Sequence, residues 1–296
     1  ALISSRPGQL FADRINRKLA ASAVKDIFIY VHGFKVTFAN PVLVASELWH
    51  FLGYEGAFIA YAWPSTPSLW AYASDLETAQ YTARNLRLLL EYLAEETDAR
   101  RIHIIGYSAG TRIVADALSD LALLHGKSVR ERQKNRLRIG QVLLIGSDID
   151  RDVIGRYIVD GMADMSDNLT LYVSAHDQAL GFAKWFFRRK RAGMIVKGEH
   201  QHPQVVSFLK ENRNIQMIDV SDAENSDSAN GHAYFRDSPW VSSDILMTLR
   251  YGLSPEQRGL HWSEKYALWD FPENYVEQLV KSIKKANPEL FKQPMQ

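Results

Sequence analysis

The stretch from Arg101 to Arg112, RIHIIGYSAGTR, constrains the fold of this chain more than any other. An apolar segment, Ile102 to Ile105, passes through Gly106, Tyr107, Ser108, Ala109 and Gly110 directly into residues that read as a helix. So tight a strand-to-helix turn holds its central residue in a strained backbone conformation with the side chain thrust outward. Glycine is needed two residues to either side, because a Cβ there would strike the neighbouring strand or helix. A strand that feeds straight into a helix is also half of a parallel crossover, so the rest of the chain is expected to alternate strand and helix.

It does. Phe11, Ile15 and Leu19 recur every fourth residue and predict a short amphipathic helix. DIFIYVHGF, from Asp26 to Phe34, is almost continuously apolar, the pattern of a strand covered on both faces. Asn40 and Pro41 predict a helix start, with the asparagine amide as cap and VLVASELWHFL as the helix. AFIAYAW, residues 57 to 63, reads as a second core strand, and Pro67 with Ser68 opens a long helix to about Glu96. Further strands are expected at Arg138 to Gly146, Asn168 to Ala175 and Asn214 to Val220, and further helices at 152–162, 242–253 and 273–285. The fold class is therefore α/β, a doubly wound and mainly parallel sheet of about six or more strands with helices on both faces. A single domain over residues 1–296 is expected from the length.

Composition narrows the function. A net charge of +1 argues against a nucleic-acid partner, and the six Lys and Arg between Lys127 and Arg138 read as a solvated connector. With no cysteine the chain has neither disulfides nor a thiol nucleophile. No apolar run reaches the length of a membrane span. The chain begins at Ala1 rather than methionine, consistent with removal of an upstream segment, so the compartment stays open.

A serine hydroxyl needs a base, and that base needs an orienting acid. In a sheet of this class both are expected in loops after later strands, in the order serine, acid, histidine. His232, beyond the last predicted strand in SDAENSDSANGHAYF, is the expected base; His200 and His202 are rivals that precede that strand. Asp177, just after YVSAH, is the expected acid, with Asp148, Asp150 and Asp152 as a competing cluster. That cluster does not make a calcium loop, because Val153 and Val159 stand where glycine and glutamate are required. The backbone N–H groups of Ala109 and Phe34 are the expected oxyanion donors, with His32 shaping the second. His103 is expected to pack within its strand; His50, His125, His176 and His261 have no role assigned.

Tyr107, Trp63, Trp70 and Tyr72 are candidate pocket aromatics. ALGFAKWFFRRKRAG, residues 179–193, reads either as a surface helix or as an interfacial lid giving peripheral membrane contact. EHQH at 199–202 lacks a second half, so neither a metal nor a cofactor is expected.

YVHGFKVTF, AWPS with Tyr72 and Asp75 downstream, GYSAG, DIDRD, LYVSAHDQAL and GHAYF after a DVS strand end together resemble a bacterial family of α/β-hydrolases of unknown function, over roughly residues 10 to 260. The resemblance implies a Ser-Asp-His hydrolase and, residue by residue, Ser108, Asp177 and His232. Many relatives read His-Ser-Met-Gly where this chain has Tyr107, Ser108, Ala109 and Gly110, which bears on acyl specificity. The upstream antiparallel strands of the wider hydrolase fold are not evident before residue 26. The expected activity is a carboxylesterase or lipase-like hydrolysis of a small acyl ester. An acyltransferase or thioesterase with the same residues, and a non-catalytic module that docks on a membrane or partner, are the alternatives.

Overall fold

The computed structural model describes residues 6–66, 68, 72–177, 192, 203–227 and 231–286, leaving aside the side chains at 72, 73, 76, 125–135 and 286. One eight-stranded sheet spans it: β1 Asp26–Val31, β2 Ala57–Tyr61, β3 Arg101–Tyr107, β4 Ile139–Ile145, β5 Asn168–Val173, β6 Ile215–Asp219, β7 His261–Ser263 and β8 Leu268–Asp270. The spatial order is β2-β1-β3-β4-β5-β6-β8-β7, every neighbouring pair parallel except the β7–β8 hairpin. The helices are α1 Arg6–Ala21, α2 Ala39–Phe51, α3 Tyr72–Glu96, α4 Gly110–Leu137, α5 Arg151–Val159, α6 Pro203–Glu211, α7 Tyr234–Asp237, α8 Pro239–Tyr251 and α9 Tyr275–Ala286.

The apolar runs do what their composition requires. Along β1, Ile27, Ile29 and Val31 enter one apolar layer with α1, α3 and α4, while Phe28 and Tyr30 enter a second with α2, α8 and α9. β3 and β4 alternate in the same way, with Ile104 and Val142 on the first side and Ile105 and Leu143 on the second. Each such residue, fully buried, contributes about 1.5–3 kcal/mol, and the polar side chains buried among them, such as His103, Thr170 and Gln216, are hydrogen-bonded to neighbouring strands.

Several elements differ from expectation. β2 is an edge strand, buried at Ala57 and only partly buried from Phe58 to Tyr61, rather than a core strand. Helix α2 starts at Ala39 with Phe38 at its cap and no side-chain bond, so Asn40 is not the cap, although Pro41 does fall in the first turn. The basic stretch at 127–138 is no connector: α4 continues to Leu137. Part of its charge is spent on the C-terminal end of α3, where Arg136 pairs with Glu95 and Arg138 Nη2 donates to Ala94 O at 2.7 Å. The possible lid at 179–193 lies outside the described residues except for Ala192, which is buried and whose N–H donates to Ile149 O. β1 is preceded by α1, and the sheet's one antiparallel strand lies at the far edge as β7. Among the described residues no helix is long and apolar enough to cross a membrane.

The topology chooses the place for chemistry. The chain leaves β1 for β2 on one side and returns to β3 on the other, so the loops after β1 and β3 diverge and leave a crevice at the C-terminal ends of the strands.

Candidate active site

Ser108 stands in that crevice. Its φ is +52°, the left-handed region that an L-residue occupies at a cost of about 1–2 kcal/mol. The strain is held from both sides: Ser108 N–H donates to Ile145 O at 2.9 Å, and Ser108 O accepts from Thr111 N–H at 3.0 Å and from Thr111 Oγ1 at 2.6 Å. The flanking glycines are there for space. A Cβ on Gly110 would lie 2.4 Å from the Val31 and His32 carbonyl oxygens, and one on Gly33 would lie 2.9 Å from Ser108 Cβ. Gly33 and Ser108, in the first turns after β1 and β3, therefore pack together at the floor of the crevice before the two segments part.

The expected acid and base also meet. His232 Nδ1 and Asp177 Oδ2 are 2.7 Å apart and both side chains are buried. A carboxylate only accepts, so Nδ1 carries the proton and Nε2 is the nitrogen with a lone pair. The imidazole lies against Gly146, at the end of β4, where an added Cβ would come within 3.0 Å of His232 Cε1 and 3.4 Å of Asp177 Oδ2. Because Ser108 N–H bonds to Ile145 O, the residue before Gly146, the elbow and the imidazole are seated on the same two residues of backbone.

Tyr234 fixes this seat. Its buried hydroxyl accepts from Gly146 N–H at 2.7 Å and donates to Tyr172 O at 3.0 Å, joining the loop that carries His232 to the ends of β4 and β5. Tyr107 packs on the imidazole with ring centroids 5.0 Å apart and on Phe235 at 4.7 Å; burial raises its hydroxyl pKa far above the usual phenol range. Neither Gly146 nor Tyr234 was singled out from the sequence. The available signal was a glycine closing an apolar strand, LLIG, and an aromatic two residues after the histidine.

Phe34 follows Gly33 in the crevice, partly buried against the apolar layer, and Ala109 is buried at the start of α4, whose first N–H groups have no carbonyl within the helix. Lys35, next in the loop, also has a positive φ, +62°. Trp63 is not an open pocket wall. It is 4% exposed and stacks on His32 with centroids 5.3 Å apart. Its backbone N–H donates to His32 Nε2 at 3.1 Å and its indole N–H donates to His32 O at 2.7 Å. His32 Nδ1 lies 2.7 Å from Gly33 O, and burial lowers the His32 pKa. Trp70 lies outside the described residues, as does the side chain of Tyr72 at the start of α3. Asp75, further along α3, accepts from Thr66 N–H at 2.6 Å and from Thr66 Oγ1 at 3.0 Å, anchoring the loop after β2.

The model of the family described as alpha/beta hydrolase of unknown function (DUF900) matches residues 9–250. The chain belongs to that family. Among curated proteins nothing matches it. A crystal structure described as a lipase/esterase from Lactobacillus plantarum is similar at 15% identity over 64% of this chain and 86% of that one, with a TM-score of 0.27, too low to bear on function.

Within this alpha/beta hydrolase the rival residues have other work. Asp148 is bound to Arg112, whose Nε donates to Oδ1 at 2.6 Å and whose Nη2 donates to Asp148 O at 2.7 Å. Asp150 caps α5, accepting from Asp152 N–H at 3.0 Å and Val153 N–H at 3.4 Å. His103 packs as expected, stacked on Phe28, with Nδ1 accepting from Gln141 N–H at 2.9 Å. His50 pairs with Tyr54 and His261 with Asp270 across the β7–β8 hairpin, and His176 is exposed. His200, His202 and the EHQH stretch lie outside the described residues, as does the side chain of His125. The cap supplies a prediction: Asp150→Ala should cost about 1 kcal/mol in urea unfolding while leaving turnover per folded molecule unchanged, and a large loss of turnover would return the fourth-strand cluster to the site.

Proposed function

We propose that this chain is a serine ester hydrolase of the carboxylesterase or lipase type, with Ser108 as nucleophile, His232 as base and Asp177 as its orienting acid. The observation that carries the reading is the buried 2.7 Å contact between His232 Nδ1 and Asp177, which leaves Nε2 to act as base on a ring packed against Gly146 and Tyr107, the neighbours of Ile145 and of the left-handed Ser108. His232 Nε2 takes the Ser108 proton as Oγ attacks the ester carbonyl carbon. The carbonyl oxygen becomes an oxyanion, met by the N–H groups of Phe34 and Ala109. Collapse of the tetrahedral species breaks the bond to the alkoxy oxygen, which leaves as the alcohol with the proton from His232. Water, deprotonated by the same histidine, then attacks the acyl-enzyme and frees the acid and Ser108. Tyr107, which borders the imidazole, is the side chain placed to bear on acyl specificity.

A fluorophosphonate probe tests this directly, since it phosphonylates a serine only where a base and oxyanion donors have activated it. The expected result is one adduct per molecule, mapped by peptide mass to Ser108. No adduct, or one on another residue, would overturn the proposal.

A further inference from the structure

We propose that His32, with its tautomer set by Trp63, is the positioning residue that aims the Phe34 N–H as an oxyanion donor. The inference rests on the hydrolase reading above and goes beyond it by assigning how that donor is held. The Trp63 backbone N–H can only donate, so His32 Nε2, 3.1 Å away, must be the accepting nitrogen. The proton of the neutral imidazole is then on Nδ1, and Nδ1–H donates to Gly33 O at 2.7 Å. With both nitrogens engaged, His32 has none left to move a proton for Ser108; its effect is on orientation.

That effect follows from the geometry of one peptide group. The Gly33 carbonyl and the Phe34 N–H belong to the same planar unit, no peptide bond among the described residues is cis, and in a trans unit the two point in opposite directions. Pulling Gly33 O onto the buried imidazole therefore turns the Phe34 N–H away from it. Gly33 abuts Ser108, so this peptide leaves the nucleophile's own neighbour.

The remaining contacts resist its rotation. Trp63 Nε1–H holds His32 O at 2.7 Å, the two rings stack within 11° of parallel, and Ser65 Oγ donates to Val36 O at 3.2 Å further along the loop. Lys35, at φ +62°, takes the turn's strain just after Phe34. Burial favours the neutral imidazole, the only form with a lone pair for the Trp63 N–H.

Two variants separate orientation from packing. In His32→Asn the amide nitrogen sits near the Nδ1 position and can still donate to Gly33 O. In His32→Gln the amide reaches toward the Trp63 N–H instead, and Gly33 O loses its donor. With p-nitrophenyl butyrate, His32→Gln is expected to lower kcat about 10²-fold with little change in KM, and His32→Asn to recover about tenfold of that loss, although both lose the stacked ring. Equal losses in the two variants, or losses that follow Tm, would mean that His32 only packs. Wild-type kcat in His32→Gln, with Ser108→Ala inactive, would overturn the inference and leave the hydrolase reading standing; activity in Ser108→Ala would overturn both. Should either variant fail to fold, 15N spectra of the histidine-labelled wild type decide. A neutral Nδ1–H tautomer for His32 is expected at neutral pH, and an Nε2–H tautomer would overturn the proposal.

Discussion

Replacing Ser108 with alanine is expected to lower kcat on a p-nitrophenyl ester by about 10⁵- to 10⁶-fold, with KM changed little, because the covalent route is lost while the site's shape is kept. The residue has no steric reason to be serine. Its φ of +52° is unfavourable for any side chain, and the bonds that hold it, from Ser108 N–H to Ile145 O and from Thr111 to Ser108 O, use only its backbone. A strained position whose backbone contacts would suit glycine better, yet which keeps a hydroxyl, points to use of that hydroxyl. Ser108→Gly is the companion measurement. It should be as inactive as Ser108→Ala but melt above it, because glycine relieves the left-handed strain that alanine retains. A Ser108→Ala enzyme within tenfold of wild type, measured against protein purified in parallel, would exclude the serine mechanism.

The sheet was legible because its central strands are apolar on both faces. Residues such as Ile27 to Val31 and Ile102 to Ile105 are buried whichever way they point, so the continuous run was itself the signal. The elbow was legible for a steric reason, since a Cβ on Gly110 would collide with the Val31 and His32 carbonyl oxygens and one on Gly106 would crowd Val114 and Thr111. What escaped was set by distant neighbours. Nothing local in AFIAY distinguishes an edge strand from a core strand; its place follows from the return of the chain to the other side of β1. β7 and β8, three residues each, are too short to show a period and exist because β6 offers them an open edge. Trp63 reads as a pocket aromatic from composition alone. Its burial depends on a histidine thirty-one positions earlier whose ring and carbonyl both face it. The Asn40 cap failed because the backbone entered the helix two residues sooner, at Ala39 with Phe38 as cap, and the Asn40 N–H donates to Thr37 O.

The acid is where sequence left the widest choice, and Asp177→Asn set beside Asp148→Asn is expected to settle it. Asparagine at 177 keeps the size of the side chain but can turn its NH₂ toward His232 Nδ1, which stabilises the tautomer with the proton on Nε2 and removes the base. The expected cost is about 10³- to 10⁴-fold in kcat, with the protein still folded, because Gly146 and Tyr107 continue to pack the imidazole. Asp148 is joined to Arg112 on α4, so its asparagine variant weakens a largely buried ion pair between the end of β4 and α4. Because Asp148 is itself buried, that should cost about 1.5–3 kcal/mol of stability while leaving kcat within a few-fold of wild type. The two variants make the same change of charge and shape, so a difference between them reflects location alone. If Asp148→Asn were the inactive one, the orienting acid would belong to the loop after β4, and the 2.7 Å contact between Asp177 and His232 would have to be a structural pair beside the reacting groups.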